Sequence, residues 1–558
     1  MTDKAKSKPH SSLGKSAAQT LQAYPNRLTK WFGVENDGPL DWGAVEGSRE
    51  GPNRVNEDGD GTLDQLFLEL ETQGSPSQSQ EVLRLLEKLW CLPILPAESR
   101  SRLLANELRL IESESLGEID ESSSSDAVLQ YQMSAVELPL TWAVVSVSAK
   151  ADAWGRLAAD RMSVLVKNVL DADGIPGARI LPVLGSLLGS WTRCHRLMGK
   201  LGYEFNVRAD EIMEWLVRQV LRFLGPNGNL ILCGQSMVSV DDRFRKFLLK
   251  MSHDRTDKFL AKRSFPPVQK NRRRRKELPA ESSHSEWGEI ALMQSRWASG
   301  APKVGIDFSR GRNRIQLSAN KDLLYGDVTP QVSINGKPIK STADCEVACW
   351  HQDDDVDYLE LKMPLSDGVQ VQRQFVLVRD DQIMILMDVV NCPVVSRIDY
   401  HCHYPFAEGI SALPESETSE IYLKSGAEIQ SLVMPLGLSE WKVERSDGAF
   451  RPAQNRLEIH QTINGAGLCS SLMFDLNPSR SIRPRTWRQL HVAEQLRHVG
   501  CDQAVAFRAQ IDQQQWLIYR SIGENANRTF MGENFSKDFF LGRFDRSGAV
   551  EELIGVEP

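Results

Sequence analysis

The spacing of apolar residues changes part-way along this chain, and that change limits the fold more than any other feature. Up to about residue 225 the apolar positions recur at helical intervals. Leu63, Leu66, Phe67 and Leu70 form one stripe, and Leu83, Leu86 and Trp90 form a second. The period is that of one face of an amphipathic helix. The second stripe stops at Pro93 and Pro96, which cannot continue a helix. Met162, Leu165, Val166 and Val169 repeat the pattern and run into a Gly- and Pro-containing turn at 171–177. Leu184, Leu187, Leu188 and Trp191 do so again, as do Val217, Val220, Leu221 and Leu224, which end at Gly225-Pro226-Asn227-Gly228. Helices separated by short turns predict packed α-hairpins.

Beyond residue 286 the period becomes two. Ile315 and Leu317 alternate with polar neighbours. Ser333-Ile334-Asn335-Gly336-Lys337 carries Asn-Gly, the strongest short hairpin signal. Residues 371–379 and 382–387 read as two strands around Asp380-Asp381. Many short strands with regular turns predict an antiparallel sandwich. A helical half followed by a β half also suits 558 residues, a length at which single cores have stopped growing.

The expected organisation is a polar tail over 1–60, a helical domain over 61–250, a basic linker over 251–285 and a β-sandwich over 286–558. The linker holds Asn271-Arg272-Arg273-Arg274-Arg275-Lys276, read as a solvated connector. Lys and Arg total 66 against 74 Asp and Glu, a net charge of −8. That balance argues against a general nucleic-acid binder, which needs positive surface for phosphates. Nine cysteines without a CxxC pair fit reduced thiols. The charged start has no apolar signal region, and no run of about 18 apolar residues occurs, so the expected location is cytoplasmic, with no membrane span. Phosphate-cradling glycine loops and the GxSxG elbow are absent, so no cofactor is expected.

Several stretches resemble the heparinase II/III-like proteins, a branch of the polysaccharide lyases. They are Glu137–Trp142, Gly189–His195, and Trp215–Arg222 leading into Gly225–Gly228. In the β half they are Ser285, Glu286, Trp287 and Trp297, then Trp516–Arg520, Asn527–Thr529 and Phe540–Phe544. The resemblance implies an incomplete (α/α) toroid followed by antiparallel β-sheets. It further implies a lyase that cleaves uronate-containing acidic polysaccharide by β-elimination, so the expected partner is an acidic polysaccharide or oligosaccharide. Family members carry a His-rich strand motif early in the β half. Here Val304–Ile315 contains no histidine. The departure opens a second reading: a non-catalytic carbohydrate-binding or scaffold protein that keeps the fold. A glycosidase on a helical toroid is a third reading, and it would need two facing carboxylates.

β-Elimination needs a base for the C5 proton, a group that quiets the uronate carboxylate and an acid for the leaving oxygen. His195, Tyr203 and Asn206 supply these types within one helix end and loop. They are the candidate catalytic residues, with Trp191 and Arg193 as candidate substrate contacts. A structural reading competes at each. His195 falls on an apolar stripe, Trp191 suits a core, and Tyr203 and Asn206 could pack and cap a turn. His401 and His403, at i and i+2, share a face if they lie on a strand. They are candidate substrate contacts from the β half. Such a pair can also ligate metal, and Asp353, Asp354, Asp355 and Asp357 could add oxygen ligands. No spacing rule joins these groups, so the acidic run reads as a hairpin turn and no metal is expected.

Overall fold

The computed structural model describes residues 31–32, 119–120, 122–145, 149–234, 242–264, 278–309, 312–444, 446–545 and 547–558. The stripes at 63–70 and 83–90, the basic run at 271–276 and nearly all of the expected tail lie outside them. The chain divides into two compact units. One comprises residues 1–217 and 236–253, the other 218–235 and 254–558.

The described secondary structure of the first unit is helical, apart from a bridge between Leu170 and Pro176. Ser124 opens the helix Ser125–Tyr131, its hydroxyl accepting from the Ala127 N–H at 3.3 Å. A π-helical segment, Gln132–Glu137, follows and is entirely buried. The helix Ala149–Val169 buries Met162, Leu165, Val166 and Val169, the expected stripe. The helix Leu184–Leu201 buries Leu184, Leu187, Leu188 and Trp191. It stops at Gly202, whose φ of +75° is a left-handed cap that glycine adopts without cost. The helix Val207–Phe223 runs across the division between units.

The second unit opens with helical turns and becomes antiparallel β. One expectation needs correction here. Within the 251–285 stretch read as a linker, Arg255–Ser264 is a helix that buries Leu260 and Ala261. Its few apolar residues hid it from a periodicity search. Its Asp257 carboxylate is buried and accepts from Arg218 Nε at 2.8 Å.

Among the described residues four sheets follow: five strands over 283–327, eleven strands around the long strands Ile383–Pro405 and Arg456–Asp475, five strands over 485–556, and a small four-stranded sheet. Among the described residues, three apolar cores hold these sheets. Val371, Phe375, Leu377, Met384 and Leu386 of the large sheet pack with Ile306, Ile315 and Leu324 of the first sheet. Val376, Val378, Ile383, Ile385 and Met387 pack on the opposite face, with Trp487, Phe507 and Trp516. Successive residues therefore enter different cores. Burial on both faces explains why Ile383–Met387 is a continuous apolar run and not an alternating one. The third core joins Ala506, Leu517 and Tyr519 to Phe530 and Phe535.

The hairpin expected at Asn335-Gly336 is present. Ile334 pairs with Lys337, and the two turn residues have φ of +51° and +80°. The second expected hairpin is present with a wider turn, since Val378 pairs with Ile383.

Candidate functional site

The expected site residues of the helical unit divide into two groups with different chemistry. Trp191 and Arg193 belong to a buried network. Trp191 has no exposed surface, and its Nε1–H donates to Gln132 Oε1 at 3.2 Å. Gln132 Nε2 donates to Ser190 Oγ at 3.0 Å, and Ser190 donates to Glu137 Oε2 at 2.5 Å. Arg193 spans both Glu137 oxygens, one of them at 2.9 Å and the other closer still. A carboxylate this deep demands such partners, because an uncompensated buried charge costs several kcal/mol. The substrate-contact expectation for Trp191 and Arg193 is thereby corrected: both are committed to the core. For Trp191 the signal was its place on the apolar stripe with Leu184, Leu187 and Leu188.

His195, Tyr203 and Asn206 lie nearer the surface. His195 is 26% exposed at its side chain, with Nε2 4.0 Å from Asp210 Oδ1. Its ring lies 6.1 Å from that of Phe205. Burial holds the imidazole below its ordinary value of 6.5; Asp210 opposes this, and His253 and Arg196 reinforce it. The ring is therefore neutral at neutral pH, the form a base requires. The Tyr203 hydroxyl donates to Asp152 Oδ1 at 3.0 Å, and burial followed by this carboxylate pushes its pKa up to about 12. Tyr203 thus holds its proton and is suited to an acid, not a base. Asn206 precedes the helix Val207–Phe223. Its Oδ1 accepts from the Arg208 N–H at 3.1 Å, and its own N–H donates to Ser163 Oγ at 3.3 Å. That is the geometry of a helix cap.

Sequence reasoning missed Asp210 and Asp152, the carboxylates that face His195 and Tyr203. Asp152 did carry a signal, standing four residues before Arg156, with which it pairs at 3.0 Å.

In the β unit, His401 and His403 lie on one face of the strand Ile383–Pro405, their ring centres 4.2 Å apart. The acidic run is engaged elsewhere: His351 Nε2 lies 3.0 Å from Asp353, and Asp357 is buried against Arg379 at 2.6 Å. The third group beside the two histidines is Glu458, which no local pattern indicated. The segment that lacks the family's histidines forms the strands Lys303–Asp307 and Arg314–Ala319. Asp307 there pairs with Arg314 at 3.2 Å. Lys303 is buried with Nζ 2.6 Å from the Leu224 carbonyl.

Among the described residues, no helix is long and apolar enough to cross a membrane. No family model and no curated protein matches the chain. Solved structures do. Heparinase III aligns over 93% of this chain and 94% of its own, with a TM-score of 0.57 at 10% identity. The heparan sulfate lyase HepC from Pedobacter heparinus aligns over 90% of this chain and 79% of its own, with a TM-score of 0.52 at 10% identity. The chain therefore has a heparinase-like polysaccharide-lyase fold, a helical toroid followed by antiparallel β-sheets.

Proposed function

We propose that this chain engages uronate-containing acidic polysaccharide and cleaves it slowly by β-elimination, with His195 as the base. The observation that carries the reading is the fold likeness to heparinase III across nearly the whole of both chains. The neutral, part-exposed imidazole of His195 supports it. In this reading His195 takes the C5 proton, Tyr203 releases its own to the leaving oxygen, and the C4–O bond breaks as the C4–C5 double bond forms. Asn206 stands at the start of its helix, where its amide can meet the uronate carboxylate. The slowness follows from what is missing. No imidazole lies in residues 304–315, and the Tyr203 proton is shared with Asp152. Each positioned acid or base is worth roughly 10²–10⁴ in rate.

The test is to incubate the protein with heparan sulfate and chondroitin sulfate while following the ultraviolet absorbance of a 4,5-unsaturated uronate, and to measure binding separately by calorimetry. Binding with a slow absorbance rise, abolished in His195→Ala, is the expected result. Efficient cleavage that survives His195→Ala combined with Tyr203→Phe refutes the site. No binding to any acidic glycan refutes the reading as a whole. The Tyr203–Asp152 hydrogen bond favours a second reading, a non-catalytic carbohydrate-binding protein, whose signature is binding with no absorbance rise.

A further inference from the structure

The face that bears His401 and His403 has more on it than the two imidazoles. The strands Ile383–Pro405 and Arg456–Asp475 pair so that His403 lies directly opposite Glu458 and His401 directly opposite His460. Directly opposed residues point the same way, as do residues two apart on one strand. The four side chains therefore form a two-by-two block on one surface. Ligand atoms of His401, His403 and Glu458 all lie within 4.8 Å of one another. The His460 ring centre is 6.3 Å from that of His401. His403 Nδ1 is buried and has no hydrogen-bond partner, although Glu458 Oε1 is only 3.6 Å away. A buried ring nitrogen without a partner is costly, and it aims a lone pair or a proton into this cluster.

We propose that His401, His403 and Glu458 bind a divalent transition-metal ion of the zinc class, with His460 as the fourth ligand. Two or three imidazoles and one carboxylate are the donor set that zinc and its neighbours favour over magnesium or calcium. Tetrahedral zinc with bonds of about 2.1 Å sets ligand atoms roughly 3.4 Å apart. The cluster must therefore contract by about an ångström, which rotation of part-exposed rings supplies. Two cations compete for Glu458. Arg456 reaches Oε1 at 2.8 Å and Arg451 reaches Oε2 at 3.3 Å. Their side chains are 47% and 72% exposed, so either can turn into solvent when an ion takes the carboxylate. The same face continues to Asp399, which is held by Arg397 and Thr462 and stays outside the cluster. The ion would join the two longest strands of the β unit.

The experiment is calorimetric titration of Zn²⁺ into the full chain after treatment with a chelator, together with the visible spectrum of the Co²⁺ form. One Zn²⁺ per chain is expected, and a Co²⁺ band typical of four-coordinate nitrogen and oxygen ligation. His401→Ala, His403→Gln and Glu458→Gln should each weaken Zn²⁺ binding at least about tenfold and bleach the Co²⁺ band, with circular dichroism unchanged. His351→Ala, at an exposed histidine paired with Asp353, should bind as the unaltered protein does. Absence of Zn²⁺ binding overturns the proposal. So does a His401→Ala/His403→Ala double variant that retains stoichiometry and affinity, because the ion would then lie elsewhere.

Discussion

Arg373 and Asp388 face each other across neighbouring antiparallel strands, both wholly buried, joined by hydrogen bonds of 2.7 and 2.6 Å. Val328 supplies a carbonyl to the guanidinium at 2.7 Å, and the Tyr400 hydroxyl completes the carboxylate. Removing one charge leaves the other stranded in the core. Asp388→Ala should lower unfolding free energy by about 3–5 kcal/mol, measured by denaturant titration. Replacing both together, Arg373→Met with Asp388→Leu, should cost far less. A single variant as stable as the parent protein would show that the pair is dispensable.

Gly155 is fixed by the ring beside it. A Cβ there would meet Tyr203 Cε2 at 2.6 Å, Tyr203 Oη at 2.7 Å and Ala143 Cβ at 2.9 Å. Gly155→Ala should therefore destabilise the helical unit by about 1–3 kcal/mol through overpacking. It should also displace Tyr203 from Asp152. Thermal unfolding reads the first effect, and the Tyr203 ultraviolet titration, shifted down from about 12, reads the second.

At the hairpin tip, Gly336 has a φ of +80° with no atom within 4 Å of a notional Cβ. Gly336→Ala meets only the backbone penalty, about 1–2 kcal/mol. Gly336→Asn should recover part of it, since asparagine tolerates that conformation. Equal stability of the alanine and asparagine variants would exclude this account.

The depressed pKa of His195 sets the sign of its pH dependence. Well above 6.5 the ring is neutral in folded and unfolded chains alike and contributes nothing. As pH falls below 6.5, the unfolded chain takes the proton first, so the folded state loses stability until pH passes the lowered value. Any His195-dependent elimination should lose rate on the acid side with a midpoint below 6.5. His195→Gln should flatten the corresponding part of the stability profile. A midpoint above 6.5 would mean that Asp210 outweighs burial at this ring.

The sequence revealed most where a single local rule governs. The buried stripe from Met162 to Val169 follows from helical spacing, and the turn at Asn335-Gly336 from backbone sterics. It revealed little where distant segments meet. His401 and His403 share a face because strands alternate, which is local. Glu458 joins them only because two strands pair across more than fifty residues. Ile383–Met387 has no alternation because both of its faces are covered, and the covering sheets are encoded elsewhere in the chain. Arg255–Ser264 carries too few apolar residues to stand out from a charged connector. Within the helical unit, Asp210 lies on a helix other than that of His195, so only tertiary packing brings the two together.

The pairing of Ile383 with Asp475 has a consequence for biosynthesis. The first of these residues leaves the ribosome 475 − 383 = 92 residues before the second. At roughly 5–20 residues per second, that interval lasts about 5–18 s. Throughout it, the apolar run Ile383–Met387 has an open edge, and the face that Trp487, Phe507 and Trp516 later cover is bare. Nascent chains halted within that window should recruit a holding chaperone, and chains extended beyond Trp516, which helps cover the second face, should release it.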